Sequence, residues 1–322
     1  MELVNGTTVQ EFILLGFRVG QQGRLLLLIF FIAVYTLTLA ENFIITMLVV
    51  QDAHLARLPM YILLGNFSWL EMCYVSATVP RMLFDLSFEW GAISFHACFL
   101  QFYVFFSLGN TECFFLSAMA LDRYLAICHP LRYPQIMSQD SCYALVTACW
   151  VLGFLWYIAP VFLISRLSFC GPRTIDHFVC DPGPILALVC PPLGYAPFIY
   201  YVFVSSVVLA TFLFILVSYI CIGVTLVKTS SQSRCMKGFS TVSSHLAVVT
   251  LFYGSVVAMY VGPNGESHAV VTKVVTLFYS AVTPLLNPLI YCLRNDQVKE
   301  ALAKLLRRKR MMQGKRRKRE QC

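Results

Sequence analysis

One apolar stretch of the chain carries a cysteine near its first end and an arginine near its last. Cys98 and Arg123 are 25 residues apart in the sequence, and that separation is about 38 Å of α-helix at about 1.5 Å per residue. The hydrocarbon core of a bilayer is only about 30 Å thick. We therefore expect the two side chains at opposite membrane surfaces. On the oxidising side the cysteine can form a disulfide, and on the other side the arginine stays charged and needs a partner.

Four of the thirteen cysteines stand apart from the rest. Most of the thirteen fall in apolar runs, where a free thiol behaves as a small hydrophobic group. The four are Cys98 and, at ten-residue intervals in a long loop on the same side, Cys170, Cys180 and Cys190. Four cysteines allow three pairings, and the spacing alone does not choose between them.

Acidic side chains occur beside Arg123 and at membrane depth. Asp122 can hold the guanidinium of Arg123, although an arginine at a helix end can also extend to lipid phosphates. Glu71 and Glu112 lie inside apolar stretches, where a carboxyl group is costly and usually functional. The simpler alternative is that both carboxyls are protonated and hydrogen-bonded. Glu41, in the first apolar stretch, has no assigned role.

Seven apolar stretches are each long enough to cross a bilayer, which takes about 20 helical residues. They are continuously apolar rather than alternating, and only helices or closed barrels satisfy all backbone groups in lipid, so helices are favoured. No internal repeat is visible, which argues against the paired halves of many transporters. The stretches run approximately over residues 25–50, 59–83, 95–121, 142–164, 195–227, 238–261 and 270–293.

Composition points to lipid as the solvent. Of the 322 residues, 58% are hydrophobic and 12% are charged, whereas a soluble domain is about half apolar and about a quarter charged. The net charge of +8 is concentrated in residues 294–322, which contain twelve Lys or Arg and three Asp or Glu. A basic tail after a membrane span is typical of the cytosolic side, next to anionic lipid. Nucleic-acid binding is the other interpretation of such a run, and the membrane-embedded body argues against it.

The two termini are expected on opposite sides because the number of spans is odd. Asn5-Gly6-Thr7 is a glycosylation sequon, which has meaning only outside the cell. The first residues lack a basic cluster before an apolar run, so we expect the first span, rather than a cleavable signal peptide, to target the chain. The predicted divisions are an extracellular N-terminus (1–24), a seven-transmembrane domain (25–293) and a cytoplasmic amphipathic helix with a basic tail (294–322).

The tail is predicted to begin with a short amphipathic helix on the inner leaflet. Apolar residues recur there at helical spacing, namely Val298, Ala301, Leu302, Leu305 and Leu306. Basic residues flank them and continue in the runs 307–310 and 315–319, which favours binding to lipid headgroups. The expected fold class is therefore an all-α membrane protein: a seven-transmembrane helix bundle with a short amphipathic C-terminal helix.

Several motifs occur in one characteristic order. Pro59-Met60-Tyr61 opens the second stretch, and Met119-Ala-Leu-Asp-Arg-Tyr-Leu-Ala-Ile-Cys-His-Pro-Leu-Arg-Tyr133 ends the third. Lys237-Gly-Phe-Ser-Thr-Val-Ser-Ser-His-Leu246 opens the sixth, and Pro284-Leu-Leu-Asn-Pro-Leu-Ile-Tyr291 closes the seventh. The loop motif His177-Phe-Val-Cys-Asp181 lies between the fourth and fifth. In this order the chain resembles, over nearly its whole length, the olfactory receptors of the rhodopsin-like G-protein-coupled receptor family.

The resemblance implies disulfides and a cytosolic switch. The implied pairs are Cys98–Cys180 and Cys170–Cys190, with free thiols as the alternative. In the switch, separation of the helices frees the arginine for a G protein, and Asn287-Pro288 lets the seventh helix kink because proline removes a backbone hydrogen bond. For Tyr219 and Tyr291, plain aromatic packing is the alternative role. The implied coupling and switch residues are Asp122, Arg123, Tyr124, Tyr219, Lys237, His245, Asn287, Pro288 and Tyr291.

The resemblance also implies a ligand pocket in the outer half of the bundle. The set is mostly apolar with a few polar groups, which suits a small hydrophobic, volatile ligand; plain helix packing is the alternative for each residue. Mapping by motif position selects Phe105, Phe106, Gly109, Asn110, Phe203, Val207, Tyr253, Val257, Tyr260 and Leu277. A structural sodium ion at Glu71, Glu112 and Asn42 is the only cofactor that the resemblance implies.

The implied function is that of an odorant receptor of the plasma membrane, and not of an enzyme. A small hydrophobic odorant binds, and a heterotrimeric G protein with a stimulatory α subunit raises cAMP. Besides these two partners we expect membrane lipids and no nucleic acid. A rhodopsin-like receptor for a non-odorant metabolite and a transporter or channel are the other hypotheses. No nucleophile with a base, phosphate-binding loop or metal-spaced His/Cys cluster in the sequence favours catalysis.

Overall fold

The apolar stretches form helices that span the molecule. The computed structural model describes residues 9–17, 19–88, 91–170, 172–228, 232–261, 266–294 and 298–304. In chain order the helices are α1 (Gln21–Gln51), α2 (Pro59–Ser87), α3 (Phe95–Cys128), α4 (Tyr133–Ile136), α5 (Gln139–Ser165), α6 (Pro182–Leu186), α7 (Ala196–Lys228), α8 (Gln232–Val261), α9 (Glu266–Leu277) and α10 (Thr283–Arg294). A 3-10 turn, Leu55–Arg57, precedes α2, and a π-helical turn, Phe278–Val282, joins α9 to α10.

The seven spans are α1, α2, α3, α5, α7, α8 and the continuous segment from α9 through α10. Their bounds extend most of the predicted stretches by a few residues. Sequence signals mark two of the starts. Ser94 accepts a hydrogen bond from the Ala97 N–H at 3.2 Å and begins α3, and Ser138 accepts one from the Ser141 N–H at 3.2 Å and begins α5. Each serine satisfies a backbone donor that the first helical turn leaves without a partner.

The outward faces of the bundle carry large apolar side chains that suit lipid. Leu26 is 69% exposed and Val217 is 58% exposed. Within the residues that the structure describes, six helices are long and apolar enough to cross a membrane. The remaining span, α2, is 29 residues long, and more than half of its residues are buried against its neighbours. It can therefore carry Glu71, Arg81 and Asp85 without presenting them all to lipid.

Helix α3 lies at the centre of the bundle. It contacts α2, α5, α7 and α8, and Phe102, Phe115 and Leu116 are completely buried along it. Its approach to α5 depends on Gly153, because a Cβ atom at that position would lie 2.0 Å from the Thr111 Oγ1. Helix α3 thus carries its buried polar groups in an interior made mostly of protein rather than of lipid.

The outer end of the bundle is covered by a small sheet, which the all-α description did not include. Its strands are β1 (Glu11–Leu14), β2 (Gly91–Ser94) and β3 (Thr174–Ile175), in the order β2-β1-β3. Strand β1 is antiparallel to β2 and parallel to β3. The middle strand inserts Phe12, which is 1% exposed, against Phe95 and Phe169. The segment before the first span is thereby bound to two loops of the same face.

Both disulfides implied by the resemblance are present. Cys98 at the outer end of α3 is bonded to Cys180, with 5.4 Å between their Cα atoms. Cys170 is bonded to Cys190, with 5.0 Å between Cα atoms. The first bond holds the long loop between α5 and α7 over the top of α3. The second closes that loop on itself.

The amphipathic C-terminal helix is present over residues 298–304. Val298 and Ala301 are 3% and 6% exposed and join the main hydrophobic core of the bundle. Lys304 and Glu300 form an exposed ion pair at 3.0 Å, which contributes little to stability in water. The apolar face therefore packs on protein. Leu305, Leu306 and the basic runs lie outside the described residues.

The contact of Gly153 with Thr111 supplies a stability prediction. We expect Gly153→Ala to lower the free energy of unfolding by about 1–3 kcal/mol, because the added methyl group overlaps α3 and forces the helices apart. The measurement is the thermal unfolding midpoint of the detergent-purified protein. Gly223→Ala in α7 is the matched control, since a Cβ there meets no atom within 4 Å. Equal midpoints for the two variants would contradict the close approach.

Candidate functional site

A cavity of about 760 Å³ lies in the outer half of the bundle, beneath the long loop. Helices α2, α3, α5, α7, α8 and the seventh span form its wall, and loop residues form its roof. The lining is rich in apolar and aromatic groups with a few polar ones, as in sites for small organic ligands. The lining residues are Tyr74, Phe106, Gly109, Asn110, Cys113, Tyr157, Thr174, Asp176, His177, Asp181, Pro182, Gly183, Pro184, Ala187, Leu188, Tyr200, Tyr201, Val204, Val208, Phe252, Val256, Met259, Thr272 and Tyr279.

The roof of the cavity carries most of its charge. Lys273 of α9 donates a hydrogen bond to the Asp176 carboxylate at 2.6 Å and forms an ion pair with it. This contact ties the seventh span to the loop. The adjacent His177 is 1% exposed and Asp181 is 5% exposed. The Cys98–Cys180 disulfide brings both of them to the outer end of α3.

His177 is an uncharged group within this roof. Its Nδ1 accepts a hydrogen bond from the Val179 N–H at 3.2 Å. Burial, reinforced by the positive charge of Lys273, lowers the pKa of His177 from its ordinary value of 6.5 to about 3. The charged form would lose hydration that the loop does not replace.

The pKa of Asp181 is shifted upward, in the opposite direction to the pKa of His177. One of its oxygens, Oδ1, accepts a hydrogen bond from the Gly183 N–H at 3.0 Å at the start of α6. Burial raises the pKa of Asp181 to about 6, although that hydrogen bond favours the ionised form. At neutral pH the group is therefore mostly an anion next to a neutral imidazole.

Below the cavity, buried acids and amides connect α1, α2 and the seventh span. Asn287 donates a hydrogen bond to the Glu71 Oε1 at 2.5 Å. Asn42 donates to the Thr38 carbonyl at 3.0 Å and to the Pro284 carbonyl at 3.2 Å. Glu112, 2% exposed on α3, lies near enough to Glu71 for their charges to interact. Asn42 and Glu71 thus each bond to the seventh span, and Glu112 lies near Glu71.

At the inner end of α3, Asp122 binds two partners. The guanidinium of Arg123 donates to the Asp122 Oδ2, at 2.9 Å through its Nε, and the two groups form an ion pair. The Tyr133 hydroxyl donates to the Asp122 Oδ1 at 2.7 Å. Burial and the adjacent Asp122 carboxylate raise the pKa of Tyr133, so it remains a hydroxyl donor. Asp122 is 1% exposed and holds the arginine against the bundle.

Tyr124 points elsewhere and shares a hydrogen bond with the Nε2 of His129 at 3.0 Å.

A second contact at the inner end joins α7 to α8. The Tyr219 hydroxyl and the Nδ1 of His245 share a hydrogen bond, and their rings lie 5.6 Å apart. His245 is 2% exposed. Both residues were predicted as part of a switch, and the structure places them on the two helices whose separation would open the inner face.

Three of the ten predicted pocket residues line the cavity: Phe106, Gly109 and Asn110. Phe203, Val207, Tyr253 and Val257 do not line this cavity; the residues that do are their neighbours Val204, Val208, Phe252 and Val256. One residue turns an α-helix by about 100°. A shift of that size directs a side chain to a neighbouring helix or to lipid instead of the cavity.

The predicted pocket residues that do not line the cavity make contacts that show where they point. Phe105 is stacked between Tyr74 and Tyr279, with ring centroids 5.0 and 5.8 Å away, so it packs beside the cavity. Val257 is 57% exposed on the outer surface of the bundle. The Tyr253 hydroxyl donates to the Thr211 Oγ1 at 2.8 Å.

Phe203 and Leu277 also lie away from the cavity wall, and four other predicted residues lie outside the part of the chain that the structure describes. Phe203 packs on Trp156, whose indole N–H donates to its carbonyl at 3.0 Å. Leu277 packs in the separate cluster between α1 and α2. The side chains of Lys237, Tyr260 and Tyr291 and the sequon residue Asn5 lie outside the part of the chain that the structure describes. Pro288 lies inside α10, as its motif implied.

The resemblance implied that the long loop covers the ligand site, but the motif mapping named no residue of this roof. His177 and Asp181 flank Cys180 within four residues, and that cysteine was expected to bond to the outer end of α3. A loop tethered there must cover the space between the helices. The cysteine spacing therefore contained a usable signal for these two residues, whereas Tyr157 and Tyr200 had none.

Comparison with known proteins identifies the group to which the chain is similar. A family model described as olfactory receptor matches residues 31–309. Human olfactory receptor 11G2 is 52% identical over 300 residues, which are 93% of this chain and 87% of the relative. Human olfactory receptor 11H6 is 51% identical over 298 residues, 92% of this chain and 90% of the relative. Human olfactory receptor 6B1 is 44% identical over 305 residues, 95% and 97% of the two chains.

A solved structure supports the architecture independently. The crystal structure of squid rhodopsin superimposes with a TM-score of 0.71 and 16% sequence identity, covering 89% of this chain and 82% of that chain. At this identity the likeness shows the seven-helix fold alone. The α9–α10 segment of the present chain completes that bundle.

The buried imidazole of the roof makes stability depend on pH. Between about pH 6.5 and the lowered pKa of His177, the unfolded chain binds a proton that the folded chain does not, so stability falls as the pH falls. Asp181 has the opposite effect. Below about pH 6 the folded chain binds a proton at Asp181 that the unfolded chain does not bind, so this group stabilises the fold as the pH falls. We expect acidification from about pH 7 to about pH 5 to remove about 2 kcal/mol through His177.

The thermal unfolding midpoint of the detergent-purified protein at those two values of pH measures this effect. His177→Gln should show a smaller acid-induced fall than the unmodified chain, because glutamine does not titrate. If the two proteins lose the same number of degrees on acidification, the imidazole is not buried as described.

Proposed function

The chain belongs to the olfactory receptor family, and on this premise we propose that it signals from the plasma membrane through a stimulatory G-protein α subunit. It is an odorant-binding, G-protein-coupled receptor and not an enzyme. We further propose that its N-terminus is extracellular and its tail cytosolic. The basic tail, the sequon at Asn5 and the disulfide-bonded outer loop support this orientation, because disulfides form on the oxidising side and Lys/Arg-rich segments stay inside.

The observation that carries the proposal is the arrangement along α3. Asn110 borders the cavity, and Arg123 is held by Asp122 thirteen residues further on, or about 20 Å along the helix. A binding site and a restrained cytosolic cation therefore share one buried, rigid element. Such an element can transmit a difference between two helix arrangements from one face of the membrane to the other.

Activation then follows from differential affinity. An odorant in the cavity touches α3, α7, α8 and the seventh span together, so its binding depends on how these helices are spaced. A ligand that binds the active spacing more tightly increases the population of that state. In that state the inner end of α8 moves away from α7, the Tyr219–His245 contact breaks, and Arg123 leaves Asp122 to meet the G protein.

The cavity favours a small ligand with a large apolar surface. Phe106, Val208, Phe252 and Val256 provide apolar contact, and the cavity volume of about 760 Å³ leaves room for a small organic molecule. Burial of such a ligand gains roughly 25 cal/mol for each Å² of apolar area removed from water. The amide of Asn110 and the loop residues of the roof supply the few polar contacts.

We also propose a structural sodium ion between α2, α3 and the seventh span. Buried oxygen atoms of Glu71 (Oε2), Glu112 (Oε1), Asn42 (Oδ1) and Asn287 (Oδ1) have no hydrogen-bond partner among the described residues. Two adjacent carboxylates in a dry interior need a compensating positive charge, and hard cations take oxygen ligands. The described residues contain no group of three or more His, Cys, Asp and Glu side chains suited to a metal ion. The amide oxygens must therefore complete this site.

The signalling proposal predicts the effect of removing the arginine. In cells that express the chain, we expect an odorant panel to include ligands that raise cAMP, and Arg123→Ala to abolish that rise because the G protein loses its cationic contact. Arg166→Ala is the control, since Arg166 is an exposed arginine at the other end of the bundle. Surface staining of both variants shows that they reach the membrane. An undiminished cAMP response in Arg123→Ala would refute the coupling mechanism.

The sodium proposal predicts an ion-dependent stability. The thermal unfolding midpoint of the purified receptor without odorant should be higher in sodium chloride than in choline chloride at equal ionic strength. Glu112→Gln should remove this difference, whereas Glu300→Gln, an exposed surface change, should keep it. Equal midpoints of the unmodified receptor in the two salts would mean that no sodium ion binds there.

A further inference from the structure

The Tyr74 hydroxyl on α2 is a polar group that the protein leaves without a partner. Tyr74 borders the cavity and is 2% exposed, so the little surface that it keeps faces the cavity. Its hydroxyl makes no hydrogen bond with any described residue, and it is not one of the fully enclosed polar atoms that lack a partner. A molecule inside the cavity can therefore reach the hydroxyl oxygen and bind it.

Aromatic stacking holds this hydroxyl in place. The Tyr74 ring lies nearly parallel to the ring of Phe105 on α3, with centroids 5.0 Å apart and an angle of 10° between the planes. Phe105 also stacks against Tyr279 of the seventh span, at 5.8 Å. A rigid aromatic ring presents its hydroxyl at a fixed position, which lowers the entropy cost of a hydrogen bond to a ligand. The stack joins α2, α3 and the seventh span.

The absence of a side chain at Gly109 leaves room beside the hydroxyl. Gly109 follows Phe105 by one turn of α3 and also borders the cavity. A Cβ atom at this position would lie 3.5 Å from the Tyr74 Oη and 4.0 Å from its Cε2. That separation is ordinary contact, so a methyl group would fit there. It would nevertheless fill the space through which a ligand oxygen approaches the hydroxyl to the roughly 2.7 Å of an O–H···O bond.

A tyrosine hydroxyl in this setting favours a neutral ligand that brings an acceptor oxygen. A phenolic hydroxyl is uncharged near neutral pH, and it donates more readily than it accepts because the ring withdraws electron density from the oxygen. A protonated amine brings only donors. Glu71 and Glu112 each lie three residues from Tyr74 or Gly109, so a carboxylate ligand would bring a further negative charge towards two buried acids.

We propose that the Tyr74 hydroxyl donates a hydrogen bond to the oxygen atom of a neutral oxygenated odorant, such as a ketone, an aldehyde or an ether, and that Gly109 leaves the hydroxyl open to it. This inference rests on the proposed binding of odorants in the same cavity, and it adds a selectivity residue and a ligand class. The apolar skeleton of the ligand contacts Phe106, Val208 and Val256 on the other walls. A hydrocarbon of the same skeleton leaves the hydroxyl unsatisfied.

Tyr74→Phe tests the donor with the smallest change of shape, because it keeps the ring on Phe105 and removes only the hydroxyl. The probes are camphor with bornane and menthone with p-menthane, two pairs that differ by a carbonyl group. Binding is measured as the dissociation constant from the ligand-induced rise in the unfolding midpoint of the purified receptor. We expect the substitution to weaken each ketone about threefold to tenfold, the usual worth of a neutral hydrogen bond, and to leave each hydrocarbon unchanged.

Two controls separate ligand recognition from a structural role. Without ligand, Tyr74→Phe should unfold at no lower a temperature than the unmodified receptor, because its hydroxyl has no protein partner to lose. Tyr143→Phe removes a tyrosine hydroxyl from a residue of α5 that is 49% exposed, and it should keep the ratio of ketone to hydrocarbon affinity. If Tyr74→Phe also keeps this ratio, the proposal is overturned, and a lower midpoint would then give the hydroxyl a structural role.

Gly109→Ala tests the open side of the hydroxyl independently. The added methyl group should reduce the ketone-to-hydrocarbon ratio as Tyr74→Phe does, and the double variant should show no further reduction, because both changes remove the same bond. Gly254→Ala on α8 is the matched control, since a Cβ there meets no atom within 4 Å. Reductions that add in the double variant would place Gly109 and Tyr74 on separate ligand contacts and refute the proposed pairing.

The unmodified receptor supplies a test that requires no variant. Partition from water into an alkane measures the affinity of an apolar environment that offers no hydrogen bond. Divided by that partition coefficient, the affinity of camphor should exceed that of bornane at least about tenfold. Cineole, an ether that only accepts hydrogen bonds, should behave as camphor does. Equal normalised affinities would overturn the proposal even if neither variant is recovered.

The outcomes separate this inference from the proposed function. If ketones and hydrocarbons raise cAMP equally well through the unmodified receptor and through Tyr74→Phe, odorant reception stands and selectivity through Tyr74 fails. If a broad odorant panel produces neither a midpoint shift nor a cAMP response in surface-expressed receptor, the proposed function itself fails, and this inference fails with it.

Discussion

The burial of α3 across the whole bilayer is the constraint on which the rest of the structure depends. The helix is longer than the hydrocarbon core, so its two ends lie in different compartments, and its sides are covered by four other spans. Cys98 binds the outer loop at one end and Asp122 holds Arg123 at the other. Between them lie the cavity and Glu112. Chemistry on either face of the membrane is therefore linked to the packing of one helix.

Lipid as the solvent explains how polar and apolar residues are distributed. On the outer surface, exposed leucine, valine and phenylalanine side chains face lipid, and an apolar solvent gives no driving force to bury them. Inside, the polar groups are concentrated in three layers: the roof ion pair, the acid and amide network, and the Asp122 cluster. Each layer joins different segments of the chain through polar contacts, which are strong in a dry interior. A change in helix spacing must therefore break and remake these contacts as discrete steps.

The outer cover gives the cavity its individual chemistry. The strand before the first span, the loop between α2 and α3 and the long loop form one sheet, and the disulfide places His177 and Asp181 above the aromatic walls. Helix faces supply mainly apolar contact, which any small hydrophobic molecule can use. The loop adds an imidazole, two carboxyl groups and an ion pair to this apolar wall.

Sequence alone was sufficient for the number and approximate position of the spans, for the four cysteines set apart from the rest, and for Asp122 and Arg123 at the inner end of α3. Hydropathy and motif order are local signals, and lipid leaves helices as the favoured solution for long apolar runs. Tertiary structure decided which face of each helix lines the cavity, since a step of one residue, as from Val207 to Val208, rotates a side chain by about 100°. It also decided the pairing of β1 with strands about 80 and 160 residues away, and the place of His177 in the roof. Both depend on contacts between distant segments, which no local pattern encodes.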